Sequence, residues 1–187
     1  MSQDYTTLPR THVRYSKRAV EDEGWIKDFL KRAPVGVLAT VYGQQPFINS
    51  NLFVYDEAAH CIYMHTAKDG RTRANVEEQT NVCFSVFEMG RLLPADTALE
   101  FSVEYAGVVV FGTTSIIEDD AEQTRALQLL LDKYCPHLKP ERDYRPIHPD
   151  ELKRTSVYCI HIEEWSGKQK QVGPDFPGAF TYPYQEG

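Results

Sequence analysis

No stretch of this chain approaches the roughly 20 apolar residues that a membrane-crossing helix needs. Nor does the opening MSQDYTTLPRTHVRYSKRAVEDEG contain an apolar core of the secretory-signal kind. The expectation is a cytoplasmic protein with no membrane partner. Positive charge is also in short supply: 20 Lys and Arg stand against 27 Asp and Glu, a net charge of −7. Without a long basic run, nucleic acid is not an expected partner, because affinity there comes mostly from neutralising phosphates. Cysteine is sparse and scattered. Cys61, Cys83, Cys135 and Cys159 form no C-x-x-C pair, so neither a disulfide framework nor a zinc motif is written. Cys159 and His161 share a strand face and would need another Cys or His to hold a metal. They are read as two core positions, and no metal is expected. A Walker pattern and a G-x-G-x-x-G turn are both missing, which leaves ATP and Rossmann-type cofactors without support.

What remains is an ordinary globular composition over 187 residues, enough for one domain with a sizeable core. Residues 1–18 read as an extended polar segment, 19–172 as the folded domain and 173–187 as a tail. A helix is predicted from Val20 to Ala33, because Ile26, Phe29, Leu30 and Ala33 share one face. Pro34 ends it. Strands follow at 35–43 and 45–56 around a Gly43–Gln44 turn, then at 61–66 and 81–89. The run 99–117 is too long for one straight strand, and a bend is expected at the small pair Ala106–Gly107. Leu127, Leu130, Leu131 and Tyr134 mark a helix over 120–134, with Asp120 and Gln123 resembling a capping box. A proline-rich connection with a candidate helical turn at 149–153 leads to a last strand at 155–165. The tail is expected to be disordered or laid over a neighbouring subunit. Strand–helix–strand alternation does not recur, which argues against a parallel sheet. The fold expected is mainly β: a small closed or split barrel of six or so antiparallel strands with peripheral helices.

One turn stands out chemically. In YMHTAKDGRTRANVEEQ, Tyr63 to Gln79, the cations Lys68, Arg71 and Arg73 crowd beside Thr66 and Thr72 in an acidic chain. Asp69-Gly70 supplies a tight turn. The helix that follows would present unpaired N–H groups and the positive end of its dipole. Arginine grips phosphate through paired hydrogen bonds. The local chemistry suits a phosphate monoester. The competing reading is a solvated helix start whose arginines pair with Glu77 and Glu78.

This stretch resembles the H-x-A-x-x-G-R turn of the flavin-binding split-barrel proteins related to pyridoxamine 5′-phosphate oxidase, in the branch that includes the nitroimidazole-resistance reductases. PRTHVRYSKRAVED, VGVLATVYGQQPFINSNLFVYD, NVCFSVFE, SVEYAGVVVFGTTSIIED and IHIEEWSGKQK extend the likeness from about Pro9 to Val172. The resemblance implies a homodimer with one FMN per subunit. It places the FMN phosphate on Thr66, Ala67, Lys68, Arg71 and Thr72, and the ring along Phe47, Asn49, Ser50 and Asn51. From the other subunit, Tyr105, Trp165 and Lys168 would reach the flavin. His65 would lie beside it as a proton donor or as a structural histidine. Asn49 and Asn51 sit in mid-strand, where buried amides want partners; a ring edge would supply them, or the strand is an exposed edge. Two positions depart from the family pattern: Thr72 stands where lysine often follows the arginine, and Ala106–Gly107 replaces an Arg-Ser pair. The implied activity is an FMN-dependent oxidoreductase acting on a small planar acceptor, a nitroaromatic or a B6-like compound, with NAD(P)H as a candidate donor. The competing class is a non-catalytic protein that binds flavin, deazaflavin or haem.

Overall fold

The computed structural model describes residues 4–183. In chain order its elements are β1 (Ala19–Val20), α1 (Glu23–Arg32), β2 (Gly36–Tyr42), β3 (Gln45–Asn51), β4 (Phe53–Asp56), β5 (Cys61–Ala67), α2 (Arg71–Glu78), β6 (Asn81–Leu93), β7 (Ser102–Ile116), α3 (Asp120–Tyr134), α4 (Pro149–Leu152) and β8 (Thr155–Lys170). The strands form one eight-stranded sheet in the order β3-β2-β6-β7-β8-β5-β4, with β1 paired to β8. Every pairing is antiparallel. The sheet curls but does not close, as a split barrel requires: β3 and β4 are its two ends, yet only Leu52 separates them in the chain. Eight strands rather than about six arise because 45–56 breaks at Leu52 and because Ala19–Val20 joins the edge of β8.

The core follows from alternation. Val82, Phe84 and Val86 turn inward on β6, while Phe87 is 66% exposed on the outer side. Leu38, Phe53, Ile62, Met64, Val108, Val110, Tyr158 and Ile160 fill the interior, and α1 seals it with Ile26, Phe29 and Leu30. Each of those three side chains is worth about 1.5–3 kcal/mol on burial. The remaining face of β4, β5 and β8 is also covered. Val54, Cys61, Tyr63, Val157 and Cys159 pack under Ala126 and Leu130 of α3. Two-sided burial explains the nearly continuous apolar reading of these strands. Gly36 lies so close to the interior that a Cβ there would sit 2.0 Å from Phe84 Cζ.

Several boundaries differ from the sequence reading. The first helix starts at Glu23, not Val20. Asp22 caps it by accepting from Gly24 N (2.8 Å) and Trp25 N (3.3 Å), while Val20 pairs with Gly167. An aspartate cap sets a sharper start than apolar periodicity can. The cap of α3 is Asp119, which accepts from Glu122 N; Gln123 instead donates to Ile117 O (2.6 Å). β7 runs unbroken through Ala106–Gly107. Curvature comes from extra residues on its partner strands, between Met89 and Leu92 on β6 and at Glu163 on β8. The second bulge needs Gly112, where a Cβ would lie 1.9 Å from His161 O.

The tail lies on its own chain. Phe180 and Leu92 exchange backbone hydrogen bonds (2.7 and 3.1 Å), and Arg91 donates to the carbonyls of Val172, Gly173 and Pro174. The last four tail residues, 184–187, and residues 1–3 lie outside the described part. Residues 4–18 are not one extended run: 3₁₀ turns at Tyr5–Thr7 and Ser16–Arg18 flank turns and bends, one closed by His12 N donating to Pro9 O (2.9 Å).

Candidate functional site

The basic turn is built by β5, β8 and α2. Pairing aligns Thr66 with Ser156 and Ala67 with Thr155. The chain then peels away: Lys68 N donates to Arg154 O (3.0 Å), and Ser156 Oγ donates to Lys68 O (2.9 Å). Gly70 has φ 154° and ψ 174°, a backbone region that suits glycine alone, and a Cβ there would meet nothing within 4 Å. Helix α2 starts next, without a side-chain cap. Its first-turn N–H groups therefore stay open to an outside acceptor.

The three cations divide. Arg73 is consumed by the fold: it pairs with Glu77 at 2.7 Å and donates to Ser156 Oγ at 3.0 Å. Lys68 and Arg71 make no ion pair and no side-chain hydrogen bond among the described residues. The Arg71 guanidinium lies only over the Tyr42 ring, 5.9 Å from its centre. Thr72 is buried and accepts from Asn49 Nδ2 (3.2 Å), which leaves its own hydroxyl proton uncommitted. Thr66 is more occupied, donating to Ala67 O and lying 2.9 Å from the Tyr158 hydroxyl. Two unpaired cations, a free hydroxyl and an uncapped helix start fall within residues 68–72, a donor set of the kind a phosphate takes.

β3 borders this cradle at the sheet edge. Phe47, Asn49 and Asn51 are half-buried, while Ile48 and Ser50 point to solvent. The two amides find partners inside the chain. Asn49 holds Thr72, and Asn51 donates to His65 O (2.6 Å) while accepting from Leu52 N (2.9 Å). They staple the end of β3 to β5 and α2, so no ring edge is needed to satisfy them.

Tyr105 and Lys168 lie elsewhere, on the outer face of β7 and β8. There they line a cleft of about 570 Å³ with Arg10, Arg14, Phe87 and Phe111. The Tyr105 hydroxyl accepts from Arg18 (3.3 Å), and the Lys168 ammonium stands 5.3 Å from the ring centre. Burial opposes ionisation of this phenol, but the two cations outweigh it and hold its pKa below the usual value. Trp165 does not join them. Its ring meets His60 at 4.9 Å and Tyr55 at 6.3 Å, against the core cluster. Three residues apart on one strand, Trp165 and Lys168 project from opposite faces.

His65 points to neither group. It lines a cavity of about 420 Å³ between β5, α3 and the segment before α4, with Leu52, Leu127, Leu131, Tyr134 and Tyr144. Its Nδ1 is sealed from solvent and has no hydrogen-bond partner. Burial pushes the imidazole pKa down, favouring the neutral ring. Cys159 Sγ and His161 Nδ1 are 3.8 Å apart, and among the described residues no cluster of three metal-ligating side chains forms.

Ser156, Arg154 and Arg18 escaped the sequence reading. Ser156, 1% exposed, organises the turn from a strand 88 residues away. Only the β5–β8 register reveals it. Arg18 and Arg10 carried a weak signal as cations in an acidic chain, and their place over the sheet is a tertiary fact.

A family model described as pyridoxamine 5′-phosphate oxidase matches residues 22–169. No curated protein matches the chain. Among solved structures, the flavocytochrome Anf3 from Azotobacter vinelandii aligns with a TM-score of 0.78 at 26% identity, over 95% of this chain and 86% of its own. The FAD and haem binding protein from Mycobacterium smegmatis aligns at 0.74 and 22% identity, over 84% of this chain and 76% of its own. A candidate 5-nitroimidazole antibiotic resistance protein from Bacteroides thetaiotaomicron aligns at 0.66 and 18% identity, over 81% and 86%. The last two likenesses concern the fold alone.

Proposed function

The chain belongs to the pyridoxamine 5′-phosphate oxidase family, and from that premise we propose that it is a flavin-dependent redox protein that binds FMN. The observation that carries this reading is the uncapped start of α2 with Lys68 and Arg71 unpaired beside it. These groups would take the phosphate, helped by the Thr72 hydroxyl and the backbone at Ala67. The half-buried stripe of Phe47, Asn49 and Asn51, with Ser50 between, would back the ring. Flavin, when bound, supplies hydride and one-electron chemistry that no side chain offers. The protein's own part is to fix the phosphate, orient the ring and limit water.

The second half of the reading is a homodimer. Phe87 (66% exposed) and Met89 (46% exposed) belong to the strand that lines the 570 Å³ cleft, an apolar surface suited to a second copy. That copy would bring its Tyr105 and Lys168 toward the flavin and leave room for a small planar acceptor such as a nitroaromatic or a B6-like compound. Trp165, packed on its own core, is assigned a structural place. His65 is given no proton-transfer role, since it opens into a different cavity. No helix among the described residues is long and apolar enough to cross a membrane, which fits a cytoplasmic setting.

The purified full chain provides the test. Yellow protein, or saturable uptake of one FMN per chain, supports the reading; bleaching by NAD(P)H and recovery with a nitroaromatic establish the oxidoreductase. A chain that ignores both FMN and FAD refutes it. A second reading, that the chain carries haem, is favoured by one observation: the unpartnered His65 imidazole in an apolar cavity. The similar structure named a flavocytochrome, at 26% identity, supports it.

A further inference from the structure

We propose that the cavity between β5, α3 and residues 144–151 is the haem site, with the His65 imidazole as an iron ligand. The assignment rests on the haem reading above and is independent of where flavin binds. The walls are Leu52, Leu127, Leu130, Leu131 and Ile147, with Tyr134 and Tyr144. At about 420 Å³ the space falls within the ~300–1,000 Å³ of typical small-molecule sites. Of the two His65 ring nitrogens Nδ1 is sealed, so Nε2 is the one left open on the cavity side to act as a ligand. No hydrogen bond among the described residues engages either ring nitrogen.

Other candidate ligands in the wall are less free. The Tyr134 hydroxyl shares its one proton between Pro34 O (2.8 Å) and Phe53 O (2.9 Å), and the Tyr144 hydroxyl accepts from Gln128 Nε2 (2.9 Å). Cys135 is the C-cap of α3. One imidazole cannot hold a bare metal ion, and no set of three metal-ligating groups exists among the described residues. The remaining ligands must arrive with the metal, as they do in a porphyrin. The rim matches such a guest: Arg145, exposed and paired with Glu151 at 2.9 Å, offers a guanidinium to carboxylates at the ligand's edge. The cavity also adjoins the proposed flavin site, because Leu52 follows Asn51 and His65 precedes Thr66.

The test is an absorbance titration of the full chain with hemin, beside a parallel FMN titration. The wild type should saturate at one hemin per chain with the spectrum of imidazole-ligated ferric haem. His65→Ala should bind hemin at least ~10-fold more weakly and lose that spectrum, and free imidazole should restore it. Cys135→Ser should match the wild type. Leu131→Arg, which puts a charge into the wall, should block uptake. FMN affinity should be unchanged in His65→Ala. An unaltered hemin spectrum and affinity in His65→Ala overturn the assignment, as does non-stoichiometric uptake by the wild type. If hemin binds as described and FMN does not, the flavin reading falls and this one stands.

Discussion

Replacing Arg71 by alanine isolates the phosphate contact, because the native chain makes little other use of this side chain. Among the described residues its guanidinium meets just the Tyr42 ring, 5.9 Å from the centre. An exposed cation–π contact is worth ~0.5–1 kcal/mol, so Arg71→Ala should lower Tm by no more than about 4 °C. A charge-assisted hydrogen bond contributes ~1.5–3 kcal/mol, and exposure to salt and water puts Arg71 at the low end. A loss of ~1.5 kcal/mol raises the Kd for FMN about tenfold. The assay is flavin-fluorescence titration with FMN and, in parallel, with riboflavin, which lacks the phosphate. The preference for FMN over riboflavin should shrink about tenfold in Arg71→Ala, with riboflavin affinity nearly constant. Arg73→Ala should disturb this preference less, since Glu77 and Ser156 already hold that guanidinium. An unchanged preference in Arg71→Ala would refute the phosphate assignment even if both ligands bound tightly.

Three further outcomes concern the scaffold. Gly36→Ala drives a methyl into Phe84, with 2.0 Å to Cζ; overpacking of ~1–3 kcal/mol should lower Tm by about 2–12 °C in a thermal melt, and an unshifted Tm would show that the barrel relaxes freely. Arg91 and the Val172 N–H lower the Glu104 carboxyl from 4.5 to about 2. Its folded-state pKa lies below the unfolded one, so its stabilisation is complete above pH 4.5 and lost as pH falls toward 2. Melts across that window should show a shallower acid limb in Glu104→Gln than in the wild type; identical limbs would remove Glu104 from the account. Burial lowers the Lys133 ammonium from 10.5 to about 8. Here the folded state sheds its proton first, so stability should rise between pH 8 and 10.5 and this rise should vanish in Lys133→Met.

Local rules carried the sequence reading as far as they reach. Helix 120–134 was legible because its apolar stripe and its polar start agree, and the strands because alternation survives on the one-sided sheet at β6. What failed was set by partners distant in sequence. The bend assigned to Ala106–Gly107 is delivered by extra residues on β6 and β8, which intrinsic propensity does not display. The tail's place over Leu92 depends on Arg91 and Phe180 meeting across the fold. At the site, the cationic turn was readable from composition, but not the division of labour within it. Arg73 obeys the helical-spacing reading by pairing with Glu77, while Arg71 stays free. Asn49 and Asn51 did need partners, and found them in Thr72 and His65 O. Family likeness grouped Trp165 with Lys168, yet strand geometry puts them on opposite faces.

The most direct test of the central claim is a crystal structure of the full chain grown with FMN. The account expects the phosphate at the start of α2, within hydrogen-bond reach of the Arg71 guanidinium, the Lys68 ammonium and the first-turn N–H groups. A phosphate bound away from α2, with Arg71 and Lys68 still turned to solvent, would contradict it.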